Sequence, residues 1–156
     1  MISNYSNTLL FKYIFLVFAL MPVLIGVLAY FNPENVTVNG EQADLDIFDY
    51  LILGGFGFIF LMLHLLFSPH FVQIQLGGQN ITILDDDENR IVNWFDVDSL
   101  TKFWFVFPPL YRLRIKDEEG YYLFTTQTAF IDTGVGTIDL SSMGSLIRRK
   151  KKELGI

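Results

Sequence analysis

Two long apolar runs dominate the first part of the chain. Residues 13–31 contain no charged side chain, and residues 50–67 are an apolar run interrupted only by His64. A helix rises about 1.5 Å per residue, so each run is long enough to cross a hydrocarbon core of roughly 30 Å. The pattern predicts two transmembrane helices. A cleaved signal peptide is less consistent with the first run, because that run is long, lacks a small-x-small cleavage site and is followed by a second run.

The charges beside these runs predict their orientation. Residues 32–49 contain several Asp and Glu but no Lys or Arg, whereas Lys12 and the remaining basic residues lie outside this loop. Short flanks that carry Lys and Arg stay in the cytoplasm. We therefore expect residues 1–12 and the chain after residue 67 to be cytoplasmic, and residues 32–49 to form an exoplasmic or periplasmic loop.

Small residues in the predicted spans indicate close helix packing. Gly54, Gly55 and Gly57 lie near one another in the second run, and Gly26 lies in the first. Small residues allow helix backbones to approach each other in lipid, so these positions fit either a hairpin of the two spans or a docking face for another membrane subunit. His64 has no charged partner in the first span, which favours a neutral, hydrogen-bonded structural histidine over a proton relay.

After a short linker at residues 68–70, the hydrophobic pattern changes from helical to alternating, which is typical of β-strands. Ser141 or Ser142 is a suitable N-cap for a final helix that ends near Leu154, and Gly155 is a suitable stop. The predicted fold class is a membrane α-helical hairpin of two transmembrane helices plus a mainly-β domain, residues 71–156, with a C-terminal helix. The predicted strands are 71–76, 80–85, 90–94, 100–107, 110–116, 121–126 and, more weakly, 129–132.

The order of about seven strands and one helix resembles a pleckstrin-homology-like (PH-like) barrel. The resemblance is carried by residues 81–103, 111–126 and 141–155, and the segment from Ile91 to Val97 is similar to a Trp-containing motif of small bacterial proteins with two transmembrane helices and such a domain. It implies a bacterial inner-membrane location and a binding or scaffolding habit. The first hairpin, 73–79, lacks the Lys and Arg that hold inositol phosphates in that fold, so inositol lipid is not expected as a ligand.

An aromatic segment at residues 103–111 departs from the alternating pattern. A strand with one face in water should alternate, but here both faces are apolar. One face can fill the core, and the other needs cover from the terminal helix, the membrane interface or a partner subunit. Together with the glycines of the second run, this segment supplies the candidate partner-binding residues: Gly54, Gly55, Gly57, Phe103, Trp104, Phe105, Phe107 and Tyr111.

A basic run lies in the final helix. Near an anionic leaflet each of these side chains contributes about 1 kcal/mol of attraction. The alternative is a solvated helix end whose charges also enforce the topology. The candidate lipid or anion contacts are Arg148, Arg149, Lys150, Lys151 and Lys152.

Catalytic and metal-binding patterns are not found. The two histidines, His64 and His70, lie in and just after the second run, and the chain has no Gly-x-Ser-x-Gly, Walker or His-Glu-x-x-His motif. There is no Cys for disulfides or thiolate ligands. The acidic stretch 85–89 continues with Arg90 where a calcium loop of the EF-hand type needs Gly. We expect a protein without enzymatic activity, cofactor, metal or identified small-molecule substrate.

The function that these features favour is an accessory or scaffolding subunit of a larger bacterial inner-membrane complex. Its partners would be other membrane protein subunits and membrane lipid, whereas the formal net charge of -6 argues against nucleic acid. The alternative is a self-contained membrane-surface sensor that binds anionic lipid or a peptide through the PH-like domain or its basic helix.

Overall fold

The chain forms two compact units. One unit is Phe11–Ser68, and the other combines Met1–Leu10 with Pro69–Ile156. The N-terminal residues, expected to be a separate cytoplasmic tail, thus belong to the strand-rich unit. The computed structural model describes residues 1–32, 36–38, 41–42, 45–84, 89–127, 129–132 and 137–156. The acidic turn predicted at 86–89 lies outside these residues except for Asn89.

The elements follow the predicted order of helices, strands and a final helix. The helices are α1 (Tyr5–Phe31), α2 (Ile47–Phe67) and α3 (Ser142–Leu154). The strands are β1 (Thr37–Val38), β2 (Glu41–Gln42), β3 (Gln73–Leu76), β4 (Asn80–Leu84), β5 (Asn89–Asn93), β6 (Val97–Lys102), β7 (Leu110–Ile115), β8 (Tyr122–Thr125), β9 (Phe130–Asp132) and β10 (Thr137–Asp139).

Helices α1 and α2 are both long and apolar enough to cross a membrane, with mean hydropathies of 2.6 and 2.2 in their most apolar stretches. Both begin before the apolar runs that predict them, because polar side chains cap them. Asn4 Oδ1 accepts a hydrogen bond from Asn7 N at 3.1 Å. Asp46 and Asp49 form a reciprocal capping box at the start of α2.

The strand-rich unit contains two three-stranded antiparallel sheets, β3-β4-β5 and β6-β7-β8, and a separate β9–β10 hairpin. Alternate residues of each sheet point inward, as the period of two requires. The apolar stripe of α3 joins them. The fully buried side chains of this core include Ile74, Leu76, Ile81, Leu100, Leu113, Phe124, Met143 and Ile147.

The two sheets do not close into the barrel that the PH-like resemblance implies, as far as the described hydrogen bonds show. An isolated bridge from Phe71 to Leu123 connects them at one point. Beyond it, the chain before α1 occupies the edge of β3: Ser3 N donates to Ile74 O at 2.7 Å. Asn4 N then donates to the O of Thr125 in β8 at 3.0 Å. Residues 1–4 therefore satisfy backbone groups of both sheets.

Two strand predictions were wrong in their extent. Strand β6 ends at Lys102 rather than at residue 107, because Pro108 and Pro109 have no N–H to donate to a ladder. The strand predicted at 90–94 ends at Asn93, whose side chain accepts a hydrogen bond from Phe95 N and caps a 3₁₀ turn. Strand β10 was not predicted, since three residues are too few to show alternation.

Helix α3 begins and ends at the residues that the sequence predicts. Ser141 Oγ accepts a hydrogen bond from Gly144 N at 2.9 Å, as an N-cap does. Gly155 ends the helix with φ 70°, a left-handed conformation that favours glycine.

A buried carboxylate connects α3 to the sheets. Asp139 Oδ2 accepts hydrogen bonds from Tyr111 OH at 3.0 Å and Thr126 Oγ1 at 2.6 Å, and Oδ1 accepts from Ser141 N at 2.8 Å. These bonds compensate the cost of burying the carboxylate. Burial raises the pKa of Tyr111, and the negative charge of Asp139 raises it further.

We expect Gly144→Ala to destabilise the strand-rich unit. A Cβ at position 144 would collide with the Asp139 carboxyl group, and overpacking of this kind costs about 1–3 kcal/mol. The measurement is thermal unfolding of the full chain in detergent. Gly78→Ala is the matched control, because a Cβ there meets no atom within 4 Å. Equal unfolding temperatures for the two variants would contradict the packing described here.

The raised pKa of Tyr111 predicts a loss of stability at high pH. The unfolded tyrosine ionises near pH 10 while the folded one keeps its proton, so the folded state binds more protons above pH 10 and stability falls as the pH rises. Tyr111→Phe removes this loss of stability, which amounts to about 1 kcal/mol of the free energy of unfolding at pH 11. Chemical unfolding at pH 8 and pH 11 checks it, and the variant should lose less stability between the two. An identical loss of stability in the wild-type protein and the variant would contradict the raised pKa of Tyr111.

Candidate functional site

The glycines of α2 have two different environments. A Cβ at Gly57 would lie 3.0 Å from Ala19 O and 3.1 Å from Val23 Cγ2, so α1 and α2 approach each other closely at this point. At Gly54 and Gly55 a Cβ would meet no atom within 4 Å, and both residues are exposed. The hairpin interpretation therefore applies to Gly57, and the stretch at Gly54 and Gly55 is open.

An apolar groove lies beside this open stretch, between α1 and α2. Its volume is about 300 Å³. Gly26 and Gly54 are among its lining residues and contribute no side chain to fill it. The lining residues include Pro22, Val23, Gly26, Tyr30, Leu53 and Gly54.

Both histidines are held by backbone carbonyls. His64 Nδ1 donates to Lys12 O at 3.0 Å, which agrees with the expected hydrogen-bonded structural role. His70 Nδ1 donates to Tyr121 O at 3.0 Å, and the two rings stack with centroids 4.1 Å apart. A carbonyl oxygen only accepts, so each Nδ1 carries the proton. Across the described residues, no group of three or more His, Asp and Glu is arranged to hold a metal ion.

The aromatic segment forms a turn between β6 and β7 rather than a strand with two covered faces. We call residues 103–107 the aromatic turn. Trp104 is 69% exposed and Phe105 is 79% exposed, so α3 does not cover them. Phe103 is half-buried and Phe107 is exposed. Tyr111, the last candidate of this segment, is buried against Asp139 and offers no surface to a partner.

The basic side chains of α3 differ in their contacts: some bond to other residues of the unit, and others border a groove. Arg148 donates to Asp139 O and Ser145 Oγ. Arg149 and Lys150 both pair with Glu153, whose pKa is lowered chiefly by the hydrogen bond from Lys150. These pairs are exposed and add little stability.

Lys151 lies instead beside a groove between α3 and the sheet. This groove has a volume of about 330 Å³, an apolar floor that includes Leu100 and Ile147, and cationic side chains at its margin. Lys102, which the sequence analysis did not single out, is one of these cations. Its partner across the β6–β7 ladder is Tyr111, which also lines the groove. Only the strand register brings Lys102 close to α3, and the sequence carries no signal of that pairing. The cations that line the groove are Lys102, Arg148 and Lys151.

Three surfaces of the described residues are open to contact with another molecule: the small-residue stretch on α2, the exposed aromatic turn, and the groove with a cationic margin. Each is built from residues of one unit. Comparison of the chain with protein-family models, with curated proteins and with solved structures finds no match.

Proposed function

We propose that this chain is a non-catalytic accessory or scaffolding subunit of a larger bacterial inner-membrane complex. Helices α1 and α2 anchor it as a hairpin of two transmembrane helices, and the strand-rich unit is a PH-like domain on the cytoplasmic side. The observation that carries the proposal is the open stretch at Gly54 and Gly55, which the hairpin leaves without a packing partner.

The exposure of α1 and α2 supports the membrane anchor. The core helix of a water-soluble protein is mostly buried, but only 11% of the most apolar stretch of α1 and 6% of that of α2 is buried. A water-soluble monomer rarely exposes a contiguous apolar area of this extent. This exposure supports lipid as the surrounding of α1 and α2.

The open glycines support a protein partner within the membrane. Lipid tails are as apolar as the helix surface, so helices associate in a bilayer through close packing rather than through a hydrophobic driving force. Gly54 and Gly55 provide a flat surface on which a second backbone can approach. A helix that needed only lipid contact would gain nothing from these residues.

The groove at α3 supports the second candidate, a membrane-surface sensor. Lys102, Arg148 and Lys151 border an apolar floor, and this combination suits a ligand with an anionic group and an apolar part, such as an anionic lipid or an acidic peptide. Its lining residues do not belong to the first hairpin of the domain, 73–79, where the sequence has no basic residue.

We expect Gly54→Leu and Gly55→Leu each to reduce the partner that co-purifies in mild detergent by about tenfold, because a leucine blocks close approach of a second helix. Phe58→Leu is the control, since Phe58 is an exposed apolar residue of the same helix. Affinity purification followed by quantification of co-eluting chains measures the effect. A wild-type protein that elutes alone, or glycine variants that keep their partner, would contradict the proposal.

The orientation is tested by single-cysteine labelling, for which the Cys-free chain is a suitable background. A membrane-impermeant maleimide should label Gln42→Cys on intact cells with the outer membrane permeabilised. It should label Glu119→Cys only after lysis, because that residue lies in the strand-rich unit. Labelling of Glu119→Cys from outside would place this unit on the opposite side of the membrane.

A further inference from the structure

We propose that the outer face of the β6-β7-β8 sheet, the face that carries Arg112 and Arg114, is a binding site for a phosphate group. This face belongs to the strand-rich unit and includes neither the open glycines of α2 nor the lining residues of the groove at α3. The site is therefore independent of the functions proposed above. The observation that carries the proposal is the buried Nε of Arg112, which has no hydrogen-bond partner.

Strand alternation places both arginines on one face of β7. Tyr111, Leu113 and Ile115 are buried in the core of the unit. Because successive side chains of a strand point to opposite faces, Arg112 and Arg114 lie on the face that is turned away from this core. Arg112 is half-buried there, and Arg114 is exposed.

The strand register adds two hydroxyl groups to the outer face. Arg112 pairs with Thr101 of β6, and Arg114 pairs with Ser99. The side chains of such a cross-strand pair are neighbours on the same face of the sheet. Two guanidinium groups and two hydroxyl groups, all able to donate hydrogen bonds, are thus gathered on adjacent rows of the sheet.

Apolar residues border Arg112 on its other side. Its partner in β8 is Leu123, which is buried and forms an isolated bridge with the buried Phe71. The aliphatic part of an arginine can pack along such side chains while its charged end stays accessible. Packing of this kind accounts for an Nε that is shielded from water.

A buried donor without a partner indicates an acceptor that the chain does not supply, because native proteins leave few buried polar atoms unsatisfied. Among the described residues two side-chain atoms are of this kind, Arg112 Nε and Asn7 Nδ2, and both are donors. Asn7 directly precedes Thr8, whose Oγ1 is 3.1 Å from the Oγ1 of Thr125. Thr125 pairs with Leu110, two residues before Arg112 in β7. The start of α1 therefore lies on the outer-face side of the sheet, as Arg112 does.

The positive charges of the outer face are not balanced within the described part of the chain. The other three arginines, Arg90, Arg148 and Arg149, each pair with a carboxylate or donate to a carbonyl oxygen. Arg112 and Arg114 form no ion pair with a described residue. The chain has a formal net charge of -6, so acidic side chains are in excess and yet do not compensate this pair.

This set of donors fits a phosphate group. A phosphate monoester carries a charge of about −1.5 to −2 at pH 7, which two arginines can neutralise. Its oxygens point in several directions and can accept from two guanidinium groups and a hydroxyl, whereas a planar carboxylate is satisfied by a single guanidinium fork. A free phosphate and a lipid headgroup present the same oxygens, so the test includes both sources.

The test follows the arginine Nε–H signals in ¹H–¹⁵N NMR spectra of the full-length protein. In one arm inorganic phosphate is titrated at constant ionic strength into the protein in dodecylmaltoside, a detergent without phosphate. In the other arm the protein is in nanodiscs of phosphatidylcholine with or without phosphatidic acid, in a buffer without phosphate. We expect a saturable shift of the Arg112 and Arg114 signals and no shift of the Arg90 signal, because Arg90 is paired with Glu118.

The arms identify the source of the phosphate group. A shift with inorganic phosphate alone supports a soluble ligand, and a shift that requires phosphatidic acid supports a lipid headgroup. Absence of a shift with both probes would overturn the proposal and leave water as the acceptor at Arg112. Equal shifts at Arg90 and Arg112 would also overturn it, since they would indicate unspecific attraction. Acetate should bind about tenfold more weakly than phosphate, and equal binding would contradict the assignment to phosphate.

Variants separate the site from net charge. With the probe that binds, Arg114→Gln and Arg112→Lys should each weaken the affinity measured by calorimetry by about tenfold, because each loses charge-assisted hydrogen bonds. Arg112→Lys keeps the charge but not the guanidinium fork. Arg90→Gln removes the same charge from the other sheet and should bind normally. Arg114 is exposed, so Arg114→Gln is informative even if a change at Arg112 impairs folding. Unchanged affinity in Arg114→Gln, or an equal loss in Arg90→Gln, would overturn the proposal.

Discussion

The strand-rich unit depends on one set of backbone hydrogen bonds, those of residues 1–4. They join the edge of β3 at Ile74 and the end of β8 at Thr125. Exposed sheet edges invite pairing with other chains, and this segment covers both edges with residues that lead directly into α1. The same contact brings the connection to α1 next to β8, where the connection from α2 also arrives at Leu123.

The surfaces that remain open differ in chemistry. Gly57 lies at the contact between α1 and α2, whereas a Cβ at Gly54 or Gly55 would meet no atom within 4 Å. In the strand-rich unit, Trp104 and Phe105 are largely exposed. The groove of Lys102, Arg148 and Lys151 suits an anionic ligand.

The sequence was sufficient for features that depend on local pattern or chemistry. The apolar runs indicated α1 and α2, and Ser141 and Gly155 marked the ends of α3. It was insufficient where contacts between distant residues decide the structure. Residues 1–4 carry no periodic signal, so their pairing with β3 and β8 was missed. The aromatic turn was taken for a strand because its composition outweighed the two prolines that stop the ladder.

The dependence on residues 1–4 has a consequence for the order of assembly. These residues are synthesised before their partners at Ile74 and Thr125, which emerge only after both apolar helices. The segment must therefore remain within reach of the later strands when they fold, or the sheet edges remain uncovered. A fragment that begins after α2 lacks the segment altogether and exposes the edge of β3. The strand-rich unit is continuous in space but not in sequence, and cutting the chain between its helices and strands does not isolate it.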